Sequence, residues 1–255
     1  DDNTAIGSKS QLNVTSGEYN TSLGSLSMGT GVTTGDHNVA LGYETGKALT
    51  SGQRNVLIGA NTGDALTTSE SNVAIGHGAL STEDTTGSTT AIGYKALNLQ
   101  NAAAESYNVA VGFEAGKLIS TGTNNVIIGG LAGDALTTGA LNVAIGTGAL
   151  STEDTGNRNT AIGHGSLSSL NFAGNGYNTA MGYNSGTAMI SGIENTLIGA
   201  LAGDSLNQGN YNVAIGKGAL ATEDGHSYNV AIGYNALTTQ NANADAYNVA
   251  VGASA

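Results

Sequence analysis

The five-residue pattern Asn-(Val/Thr)-(small or apolar)-(Ile/Leu/Val/Met)-Gly returns fifteen times along this chain, and its last residue is always glycine. The first copy ends at Gly7, the second at Gly24 and the last at Gly252. Between them lie Gly42, Gly59, Gly76, Gly93, Gly112, Gly129, Gly146, Gly163, Gly182, Gly199, Gly216 and Gly233, at steps of 17 to 19 residues. A fixed short period limits the chain to repeat architectures, in which each unit packs mainly on its neighbours.

A longer period is superimposed on the short one. Gly42, Gly112, Gly182 and Gly252 are 70 residues apart, so four coils form one higher-order unit. Gly63-Asp64-Ala65-Leu66 returns as Gly133-Asp134-Ala135-Leu136 and as Gly203-Asp204-Ser205-Leu206. Residues 1–255 are therefore expected to form a single solenoid domain. Two leading coils start at Asn3 and Asn20, three units span 38–107, 108–177 and 178–247, and a partial coil covers 248–255.

The physical reading of one copy predicts an all-β parallel solenoid, or β-roll. In Asn72-Val73-Ala74-Ile75-Gly76, Val73 and Ile75 share one face of a strand and Ala74 points to the other. Val, Thr and Ile suit strands, and the glycine permits a sharp corner or a close backbone approach. One coil has too few apolar side chains to form a core alone, so it must stack. On this reading the second and fourth positions fill the interior and the third faces outward. The third position is large at Leu57, Ile127 and Leu197, and these three are expected to pack against another chain. The leading Asn, absent only at Thr89, is read as a turn residue, with an amide ladder between coils as the alternative.

At this point the repeats, such as Asn142-Val143-Ala144-Ile145-Gly146, resemble the head domain of the YadA-like trimeric autotransporter adhesins. They are also similar to repeats in phage tail-fibre proteins. The resemblance implies a left-handed roll, three chains around one axis, and a role in attachment.

Composition narrows the function classes. Seven basic against nineteen acidic residues give a net charge of −12, which opposes nucleic acid and anionic membranes as partners. There is no cysteine, hence no disulfide, thiol catalysis or thiolate metal site. No apolar run is long enough for a membrane helix, so no membrane insertion is expected in this segment. The histidines, His37, His77, His164 and His226, do not keep the 70-residue period and read as surface residues. Glu83-Asp84, Glu153-Asp154 and Glu223-Asp224 do keep it and read as solvated turns; weak Ca²⁺ binding by Asp64 with Glu83 and Asp84 is the alternative. No cofactor and no catalytic constellation is expected.

All ten tyrosines sit at the two ends of the signature strand. Tyr107 and Tyr177 directly precede an Asn, whereas Tyr43, Tyr94, Tyr183 and Tyr234 directly follow a Gly. They are candidates for surface contact, with a coil edge, a subunit, or a host receptor or glycan. The expectation is an extracellular, non-enzymatic fibrous shaft, adhesive or spacer, on a cell surface or virion. Its partner is itself, as a homotrimer; the alternative is a head-to-tail homopolymeric filament.

Overall fold

A computed structural model describes residues 2–85, 87–240, 244–245 and 247–255. The parts of the third repeat unit at 241–243 and 246 lie outside the described residues. The chain is an all-β parallel solenoid in two compact units, Asp1–Asn125 and Val126–Ala255. Among the described residues no helix is long and apolar enough to cross a membrane.

In the first unit the strands are Thr4–Ile6, Thr21–Leu23, Val39–Leu41, Val56–Ile58, Val73–Ile75, Thr90–Ile92 and Val109–Val111. In the second they are Val126–Ile128, Val143–Ile145, Thr160–Ile162, Thr179–Met181, Thr196–Ile198, Val213–Ile215, Val230–Ile232 and Val249–Val251. Each is the centre of one signature copy. Within each unit successive strands pair in parallel without slippage: Val56 lies opposite Val73 and Ile58 opposite Ile75. The 19-residue steps keep the same register, as Thr160 opposite Thr179 shows. Their two extra residues are absorbed outside the strands.

The strand faces are the reverse of the sequence expectation. The third position is buried in every strand from Val39–Leu41 to Val230–Ile232, with the second and fourth positions half-buried or exposed. Leu57, Ile127 and Leu197 are fully buried within their own chain, so they are core residues and not an outward subunit interface. The reason is steric. The coil is narrow, and an alanine at the third position lets the turn segment close over the strand. Leu57 fits because Gly46 and Gly63 lie against it. A Cβ on Gly46 would stand 2.9 Å from Leu57 Cδ1, and one on Gly63 would stand 3.0 Å from Leu57 Cδ2. Leu197 relates to Gly186 and Gly203 in the same way. Further large side chains complete the core, at Leu80 and Leu97 in some coils, at Leu49 and Leu66 in others, and at both places, Leu167 and Leu170, in the coil that starts at Asn159.

The corner glycines are required twice over. All fifteen have φ between +128° and +144°, a region open to glycine. A Cβ on Gly76 would also lie 2.4 Å from the carbonyl oxygen of Gly93 on the next coil.

The leading asparagines form a buried amide ladder. Asn38 Oδ1 accepts from the backbone N–H of Asn55 at 3.1 Å and from its Nδ2 at 3.0 Å; Asn55 Oδ1 accepts both donors of Asn72 at 3.0 Å. Asn55 Nδ2 also donates to the Ser69 carbonyl at 2.9 Å. Such saturation is what makes a column of buried amides tolerable. The ladder alternative therefore holds, and the position is more than a turn residue.

Candidate functional site

With the third position turned inward, the Val and Ile positions form two straight columns on the outer sheet face. In the first unit the register aligns Val39, Val56, Val73, Thr90 and Val109, and beside them Leu41, Ile58, Ile75, Ile92 and Val111. The second unit aligns Ile128, Ile145, Ile162, Met181, Ile198, Ile215 and Ile232 in the same manner. No charge interrupts either column. Parallel sheets are ordinarily covered on both faces, and a contiguous apolar face of this kind marks an interaction surface.

The strand ends carry the aromatic residues, which also order into columns. Before the Asn, Tyr211 stacks on Tyr228 and Tyr228 on Tyr247, each at 5.0 Å between ring centroids. Tyr19 stacks on His37 at 5.0 Å. Arg158 lies 5.7 Å over the ring of Tyr177, and Tyr107 is exposed with no ring partner among the described residues. From Tyr19 to Tyr247 the residue before the leading position of each coil is left-handed, for example Tyr107 at φ 48° and Tyr177 at φ 51°. After the Gly, His77 stacks on Tyr94, Tyr94 on Phe113, and His164 on Tyr183. Tyr43 and Tyr234 are exposed at equivalent places. Three of the histidines are thus rungs of the tyrosine columns. Their sequence positions, next to Asn38, Gly76 and Gly163, already carried that signal.

The acidic repeats are not solvated turns at their glutamates. Glu83, Glu153 and Glu223 are fully buried. Glu153 accepts from the Gly156 N–H at 2.8 Å and from Phe172 N–H at 3.3 Å, clasping the loop to the next coil. Burial pushes its carboxyl above the usual carboxylate range. Glu83 and Glu223 each accept from a glutamine one coil on, Gln100 and Gln240, at 3.2 Å. In the third repeat unit His226 joins the clasp, with Nδ1 2.6 Å from Glu223 Oε1.

Glu223, Asp224 and His226 are the one three-residue set of potential metal ligands that converges among the described residues. Asp64 is not drawn together with Glu83 and Asp84 in this way. A set of two carboxylates and an imidazole could hold a divalent cation. Glu153, the matching glutamate of the second repeat unit, clasps the same loop without a histidine, so the loop clasp accounts for the burial of Glu223. Asp64 and Asp204 each keep one carboxylate oxygen buried without a hydrogen-bond partner, and burial raises their pKa.

The chain matches no protein-family model, no curated protein and no solved structure.

Proposed function

We propose that this chain is a non-enzymatic, self-associating shaft of an extracellular fibre, built to space or to attach, of the kind that YadA-like heads and phage tail fibres represent. The observation that carries this reading is the pair of uncharged Val/Ile columns on the outer sheet face. A second copy offers a surface of matching period, so three copies around one axis would cover all three columned faces together. Repetition also suits the role, since weak contacts along a repeated surface multiply.

The test is the native mass of the protein by sedimentation, alone and with Ile75→Lys and Ile145→Lys introduced together. Three chains per particle, reduced to one by the two lysines, is the expected result. A wild-type monomer would overturn the reading. Growth without a limit, insensitive to the lysines, would replace the closed trimer by a head-to-tail filament.

A further inference from the structure

The column that follows the corner glycines contains a site. In the first unit it runs Tyr43, Ala60, His77, Tyr94, Phe113, one residue per coil. Where successive residues are aromatic the rings stack, His77 on Tyr94 at 5.7 Å and Tyr94 on Phe113 at 5.3 Å, with interplanar angles of 23° and 12°. One coil step thus has room for one ring. Ala60 puts only a methyl on its rung, between a phenol on one side and an imidazole on the other. At the strand spacing those two side chains stand about 10 Å apart, the separation that a single inserted ring fills elsewhere in the column.

Exposure agrees with this geometry. Tyr94, covered by a ring on each face, is 40 % exposed, against 52 % for Tyr43. The Tyr43 ring is also held in place. Its hydroxyl donates to Glu44 Oε1 at 2.9 Å; Glu44 is held in turn by Lys47 at 3.1 Å and by Asn61 Nδ2 at 3.3 Å. A wall positioned before its ligand arrives loses less entropy on binding.

The arrangement returns in the second unit as Tyr183, Ala200, Lys217. His164 stacks on Tyr183 at 5.5 Å, and the rung beyond Tyr183 carries only the Ala200 methyl. Beyond that methyl stands an exposed lysine in place of the imidazole.

We propose that the slot bounded by Tyr43, Ala60 and His77 binds an aromatic side chain of a partner polypeptide, and that Tyr183, Ala200 and Lys217 form a second slot of the same kind. Two π faces, or one π face and one ammonium group, favour an electron-rich planar ring. The net charge of −12 disfavours a nucleic acid as the source of that ring. This inference is independent of self-association through the outer sheet face.

The experiment is a titration of alanine-methyl-labelled protein with N-acetyl-tryptophanamide, followed by NMR. The Ala60 and Ala200 methyl signals should move upfield and saturate, with Ala103, exposed on a loop, as the control. Tyr43→Ala should weaken the Ala60 response by about tenfold and leave that of Ala200 unchanged. Tyr43→Phe should retain it. Shifts that never saturate, or an Ala60 response that survives Tyr43→Ala, would overturn the proposal. So would saturation by a methyl glycoside where the indole gives none, which would make the ligand a glycan.

Discussion

Asn108 donates through Nδ2 to Gln100 Oε1 at 2.8 Å, and Gln100 donates through Nε2 to Thr89 Oγ1 at 3.0 Å. The side chain of Gln100 thereby carries the amide ladder across Thr89, the one rung that lacks an asparagine. The second repeat unit has Asn159 and Leu170 at the two corresponding places, and both are buried.

Gln100→Leu should therefore destabilise the protein by about 1–3 kcal/mol, because buried donors and acceptors lose their partner. Adding Thr89→Asn should restore more than half of the loss, by recreating the pair used in the second unit. Urea midpoints of the two single variants and the double variant measure the coupling.

Two glycine substitutions should separate by sign. Gly76→Ala combines φ +129° with a Cβ 2.4 Å from the Gly93 carbonyl oxygen, and should cost about 3 kcal/mol or more. Gly130, next to a corner glycine, has open space where an alanine methyl would stand, with nothing within 4 Å. Gly130→Ala should be neutral or stabilising by up to about 1 kcal/mol, since it restrains the unfolded chain. Thermal unfolding of both variants decides.

Leu57→Ala should open a cavity in the narrow core and cost about 2–5 kcal/mol without altering association. Ile75→Lys, on the outer column, should alter association first. An unfolding curve and a sedimentation run on each variant distinguish a core position from a surface one.

Glu153 supplies a pH dependence. Its folded pKa is raised, by burial first, above an unfolded value of about 4.3. Between those two values the folded protein binds more protons than the unfolded one, so this group's contribution to stability falls as pH rises through the window. Below the window the contribution is fully present. Glu153→Gln should flatten that part of the stability–pH profile. An unchanged slope in the variant would assign the dependence to other groups, of which Asp64 and Asp204 have the same sign.

Period, strand position and parallel stacking were legible because all three follow from where the glycines and β-branched residues recur. The facing of the strand was not. Alternation says that Val73 and Ile75 share a side, and hydrophobicity then points that side inward. The turn segment that closes over the strand brings its own large side chain, such as Leu80 or Leu97, and leaves the strand's inward position to an alanine in most coils, a relation that the alternation within one strand does not show. Gly46 and Gly63 held the missing clue, since they relinquish their side chains to make room for Leu57. The burial of Glu153 was hidden for a related reason: its partners are backbone N–H groups, which leave no mark on composition.

The amide ladder has a direction. Asn20 donates its N–H to the Oδ1 of Asn3, Asn38 to that of Asn20, and Asn55 to that of Asn38, always toward the earlier coil. The backbone bonds beside it run both ways: the Thr21 N–H donates to the Asn38 carbonyl, and the Gly42 N–H to the Leu23 carbonyl. The side-chain column is thus a one-way relay: each asparagine turns its donors toward the earlier coil and its Oδ1 acceptor toward the later one. A coil added in the same sense continues it, whereas a coil added in reverse sets acceptor against acceptor. Each coil therefore tells the next which way to run.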